Sequence, residues 1–402
     1  MGKGNVYTQR KKRWIIRFCI CLTGFGLLFC SEGLAAGTGT QNADGIYTAV
    51  DGHEIPQEQL TDSVIGYEEL GSLIHAYNRT VQDIIKNVDN VREEYTEIRD
   101  QLRAERSYAK QDKEDAEDEG DMDLYAENAS LEAIYKAGIV RYNDAIRKLD
   151  RYSSNRDRII LEKRLTNAAQ SLMISWQSLS LQKEYLEKRA EVLYAQYELS
   201  QNQMQVGLVT NDDAQASYRQ WTEIQNSLED LEDRRMSVYQ NLCVLLGVDE
   251  NGGISFKEIL PADNSRTEGL DLEQDTKEAL SNNTDIYSEL FTSVKGTDAR
   301  ENKKRKLGEL EEKVKIQMRQ FYEDISQAEQ AYNAARVGYE NAENTWAGSQ
   351  LQYSLGILNK AEFLQQEAAY LDKKTGLETA ELNLFQALQV YEWALKGIIS
   401  DL

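Results

Sequence analysis

Apolar residues recur seven positions apart over most of this chain. Leu165, Leu172, Leu179, Leu186 and Leu193 mark one stripe, with Ala169, Trp176, Ala190 and Tyr197 four residues after four of them and Lys183 interrupting. Ile224, Leu231, Val238 and Leu245 form a second, seconded by Trp221, Leu228 and Leu242. Met318, Ile325, Tyr332, Tyr339, Trp346 and Tyr353 form a third, interleaved with Phe321, Ala328, Ala335 and Ala342. Leu377, Ala380, Leu384, Ala387, Tyr391 and Ala394 form the last. A sustained a/d heptad predicts long helices lying side by side, so the fold class is all-α. Runs of roughly 50 residues before each break give rods of about 75 Å, too long for one globular core. Each rod must lie against a hairpin partner, and the alanine–tyrosine mixture favours close packing in a wide assembly.

The breaks between stripes are the same turn written twice. Gln205-Val-Gly-Leu-Val-Thr-Asn-Asp-Asp213 and Ser354-Leu-Gly-Ile-Leu-Asn-Lys-Ala-Glu362 each carry one glycine, two aliphatic residues and a capping Thr or Asn. Gly207 and Gly356 suit the left-handed residue that ends a helix. Thr210 with Asp213, and Asn359 with Glu362, read as capping boxes. Two such turns, each flanked by long heptads, mark an internal duplication of an α-hairpin, and a duplication of that kind points to a tube or array. The halves begin alike, around Tyr67 to Asn78 and Leu272 to Asn283, and end alike, at Leu245-Leu-Gly247 and Leu395-Lys-Gly397.

Residues 1–36 read as an export signal: Lys11-Lys-Arg13, an apolar run from Trp14 to Cys30, then Ala35-Ala36 as a cleavage site. The run is short for a membrane span. Residues 37–62 read as a flexible tether, 63–260 as the first helical repeat and 261–402 as the second. Of the two prolines, Pro56 falls in the tether and Pro261 between the halves, so the helices run free of them. The acidic run 111–123 reads as a solvated loop, and a helix break is expected at Ser153-Ser-Asn155.

The chain carries 46 basic and 68 acidic residues, a net charge of −22. Loss of residues 1–36 takes six basic and one acidic residue with it and leaves the surface more negative still. That excludes nucleic acid and an anionic membrane surface as partners. Cys243 would then be the last cysteine, so no internal disulfide forms and Cys243 is a small core residue. No nucleophile elbow, phosphate-binding glycine loop or His/Cys metal cluster is present, so no enzyme and no cofactor is expected. The two histidines, His53 and His75, stand apart and carry no assigned role, and the Tyr332–Tyr353 stripe reads as packing.

The elbows and the matched repeat ends resemble those of the TolC family of outer-membrane efflux proteins. The likeness spans most of residues 63–398 and is clearest at Val206-Gly-Leu-Val209 with Asp213, and at Tyr353-Ser-Leu-Gly356. The resemblance implies a homotrimeric helical tube, exported to the cell envelope, that docks with a periplasmic adaptor (a membrane fusion protein) of an export pump in the inner membrane. It implies that Val206, Gly207, Leu208 and Gly356 are adaptor-contact tips. Asp213, Tyr353 and Glu362 would be pore-mouth gate residues, Asp213 and Tyr353 bonding across the closed mouth and Glu362 ringing the pore. Leu358 stands where the family has a gate arginine and Gln365 where it has a second ring acid. The family also builds a membrane barrel from two strands in each half. The matching places here are the acidic 111–123 and the polar Lys295 to Lys304, neither of which could face lipid. A duct subunit is therefore the leading expectation. The alternative is an extracytoplasmic coiled-coil scaffold that conducts nothing.

Overall fold

The computed structural model describes residues 46–48, 54–56, 63–259, 267 and 269–399. The export segment lies outside them. Within the segment read as a tether, β1 (Ile46–Thr48) pairs antiparallel with β2 (Glu54–Pro56), so that stretch carries a short hairpin. The first repeat begins with β3 (Val64–Ile65) and a 3-10 turn (Tyr67–Glu69), then α1 (Leu70–Tyr77), α2 (Arg79–Asp118), α3 (Met122–Leu149), α4 (Tyr152–Gln205) and α5 (Asn211–Leu246). After β4 (Ser255–Phe256) come α6 (Leu272–Asn282), α7 (Thr284–Phe291), α8 (Thr297–Ser354) and α9 (Lys360–Leu395). β4 returns to pair parallel with β3. The fold is all-α, built of long antiparallel hairpins.

Among the described residues two compact units emerge: 80–159, and 63–79 with 160–399. The smaller one corrects the sequence reading. The run 111–123 is not a loop: α2 continues to Asp118, and only Glu119, Gly120 and Asp121 make the turn into α3. Gly120 has φ of 73°, and Asp121 caps α3 by accepting from the Leu124 amide at 3.1 Å. The reason is heptad order. Val81, Val88, Leu102, Ala109 and Ala116 are buried on one seven-residue register, with half-buried Tyr95 at the position between Val88 and Leu102, so the same seam runs on beneath the charged surface. Tyr135 of α3 is buried with Leu102 and Ala109, and Tyr95 meets Tyr142 edge-on at 5.6 Å. The expected break at residues 153–155 lies instead at Asp150–Arg151, where the Asn155 amide donates to the carbonyls of Leu149 and Arg151. In the second half α8 already begins at Thr297, so most of Lys295 to Lys304 is helix as well.

The larger unit holds both elbows, and the ends of α5 and α9 far from them are closed by similar seals. Asn78 donates its side-chain amide to the Leu245 carbonyl at 2.8 Å, and Asn282 donates to the Leu395 carbonyl at 2.8 Å. Gly247 and Gly397, at the ends of α5 and α9, face the Tyr77 and Asn282 carbonyls so closely that a Cβ on either would overlap them. That close approach explains why both halves begin and finish alike. The core of the second repeat gathers Met318, Phe321 and Ile325 of α8 with Leu384, Leu388 and Tyr391 of α9.

Candidate functional site

At each elbow the backbone closes in the same way. The Gly207 amide donates to the Met204 carbonyl at 3.0 Å and Leu208 to Gln203 at 2.8 Å; Gly356 donates to Tyr353 at 3.0 Å and Ile357 to Gln352 at 2.9 Å. This is the double bond of a Schellman turn, and it requires the left-handed glycines found here, at φ of 75° and 71°. Both capping boxes form. Asp213 and Thr210 satisfy each other's backbone amides, as do Glu362 and Asn359. The Thr210 hydroxyl, donating to Asp213 at 2.7 Å, and the Thr210 amide together hold that carboxyl below its usual range.

The turns expose what a soluble tip would hide. Val206 is 70% exposed, Leu208 75%, Leu355 64% and Ile357 70%. Leu355 and Ile357 were not singled out from the sequence, although they flank Gly356 as Val206 and Leu208 flank Gly207. Tyr353 stacks on Phe363 at 4.2 Å, the end of a ring ladder that continues through Trp346, Tyr370 and Tyr339. The ladder pins α8 to α9. A matching cluster of Tyr194, Tyr197, Tyr218 and Trp221 pins α4 to α5. Within one chain Asp213 bonds Thr210, and no hydrogen bond joins it to Tyr353 among the described residues.

Contacts between α4 and α9 fix the relation of the two elbows. Val192 of α4 is buried with Leu364 and Ala368 of α9, and Glu184 lies 3.7 Å from Lys374. Far from the turns, the Trp393 indole donates to Gln170 at 2.7 Å and the Lys163 ammonium donates to the Lys396 carbonyl at 2.9 Å. The two helices are antiparallel and in continuous register, so both elbows lie at one end of the unit. The groove between them is lined by Tyr185, Arg189, Gln196, Gln365 and Asp372, with an open volume of about 780 Å³. Glu367 stands beside it; burial, with Glu191 nearby, raises its carboxyl above the usual range.

At the far end sits a buried polar pair that the sequence did not disclose. His75 Nδ1 lies 2.8 Å from Glu162, and both are largely shielded from solvent. Cys243 is buried as expected, and burial raises its thiol. Among the described residues no cluster of His, Cys, Asp or Glu could hold a metal ion.

The chain is similar to outer-membrane channels of the TolC type. The fold aligns with VceC from Vibrio cholerae (13% identity, TM-score 0.42, covering 66% of this chain and 76% of that one). It aligns with the CmeC channel of Campylobacter jejuni (8%, 0.40, 64% and 68%) and with the outer-membrane channel OprN (11%, 0.44, 92% and 97%). No protein-family model matches the sequence, and no curated protein does.

Proposed function

We propose that this protein is the subunit of an export duct in the cell envelope. Three copies close their hairpins into a helical conduit, and the glycine elbows dock tip-to-tip with an extracytoplasmic adaptor of an export pump. The observation that carries this reading is the placing of both elbows at one end of a single antiparallel unit, with Val206, Leu208, Leu355 and Ile357 bare around them. Exposed apolar side chains on a fixed turn are expensive in water and are covered by a partner. Tyr353, Asp213 and Glu362 then stand at the mouth, where contacts between copies would gate it. No helix among the described residues is long and apolar enough to cross a membrane. The two places that match the family's barrel strands, 111–118 and 297–304, are helical here.

Light scattering on the exported chain tests this directly, with a trimer expected. Replacing Gly207 and Gly356 together should abolish capture of the adaptor while circular dichroism stays unchanged. A monomer at micromolar concentration would point instead to the scaffold alternative.

A further inference from the structure

The α2/α3 hairpin presents two outward faces, and they complement one another. Along α3 the face turned away from α2 reads Ala126, Ser130, Ala133, Ala137, Val140 and Asp144, alternating four and three residues, and every one is exposed. Ile134 beside it is 52% exposed and Val140 53%. This is a second heptad seam, on the side opposite the one that buries Asn128, Tyr135 and Leu149. The outward face of α2 carries Glu93, Glu97, Asp100, Ala104 and Gln111, all exposed.

Charge reverses between the inner and outer faces. Inside the hairpin α2 supplies cations and the α3 side supplies anions: Arg92–Asp150 at 2.6 Å, Lys113–Glu132 at 2.7 Å and Arg106–Glu132 at 3.3 Å. Outside, α2 is acidic at Glu93 and Glu97, with Glu94 at their flank, while α3 ends on exposed Lys148 and on Arg147, which lies 3.7 Å from Asp144 of its own helix. These groups lie at matching heights, because Arg92 meets Asp150 and Leu102 lies against Gly138. By the same register Ala104 lies level with Ala137.

From this complementarity we infer that the outward face of α3 is covered by α2 of a second copy of this chain. Rotation about a common long axis keeps equal heights equal, so Ala137 of one copy meets Ala104 of the next, and Arg147 and Lys148 meet Glu93 and Glu94. The two faces differ, so the contact is head-to-tail and closes a ring rather than a two-fold pair. The small residues let the helices approach closely. The inference rests on the duct reading, in which copies of this chain stand side by side around one axis.

Disulfide cross-linking tests it in the whole exported chain begun at Gly37, whose remaining cysteine, Cys243, is buried. Within one hairpin Ala104 and Ala137 face opposite ways, beyond disulfide reach. The double variant Ala104→Cys, Ala137→Cys is therefore expected to link copies on oxidation, and neither single variant to do so. Glu93→Lys with Glu94→Lys should slow linking about fivefold, the scale of exposed ion pairs. Adding Arg147→Glu and Lys148→Glu should restore it. A trimer that does not cross-link overturns the hairpin contact and leaves the duct standing. Linking by Ala137→Cys alone means a two-fold contact and overturns it too. A monomer overturns both readings.

Discussion

Four helix-ending glycines separate two kinds of demand on one residue. Gly207 and Gly356 adopt positive φ in open space, with nothing within 4 Å of a would-be Cβ. Gly247 and Gly397 adopt it against a neighbouring carbonyl. Alanine at either elbow should cost roughly 1–2 kcal/mol, the left-handed penalty alone. Alanine at 247 or 397 should cost a further ~1–3 kcal/mol of overpacking, and urea midpoints of the four single variants would order them. Lys183, which interrupts the leucine stripe, has an equally local explanation. It reaches Glu232 of α5 at 3.1 Å, and Arg235 reaches the same carboxylate at 2.9 Å. Arg235 first, then Lys183, lowers the Glu232 carboxyl to about 2. A depressed folded value adds stability above the unfolded value near 4.5, lost as pH falls toward 2. Because Glu232 is 41% exposed, the gain is under about 1 kcal/mol. Wild type and Glu232→Gln should therefore differ in urea midpoint at pH 6 and converge by pH 2.

At the scale of elements, what was legible was periodic and what was missed was polar. The stripes on α4, α5, α8 and α9, both elbows and both capping boxes could be read because each rests on residue spacing. The end of α2 was hidden because eight acids between Asp112 and Asp123 outweighed two alanines, Ala109 and Ala116, that continue the seam. Glu and Lys are good helix formers, so a charged run on a continuing heptad is a solvated helix face rather than a loop. Amide hydrogen exchange should show 111–118 protected and 119–121 exchanging freely; fast exchange throughout would restore the loop. The buried polar positions of α4 were beyond reach. Glu162, Thr166, Gln170 and Gln177 are shielded while the leucines beside them are only half-buried. Their partners, His75 and Trp393, lie 87 and 223 residues away from Glu162 and Gln170. No local pattern announces such a pair.

Across the larger unit the antiparallel register of α4 and α9 has a further result: the two tips are not level. Extending the register from Glu184 and Lys374, the start of α9 at Lys360 lies opposite about Glu198. Helix α4 continues to Gln205, so the first elbow projects roughly 10 Å beyond the start of the second hairpin. A partner approaching along the long axis meets Val206 and Leu208 before Leu355 and Ile357. If the tips dock end-on, Leu208→Asp should weaken adaptor capture more than Ile357→Asp, although the two side chains are about equally exposed. Capture by the unaltered chain should change little between low and high salt, because the contact buries apolar atoms rather than pairing charges. Equal losses from the two substitutions would mean the adaptor grips the tips from the side. A steep fall with salt would move the contact off the elbows and onto the acidic surface.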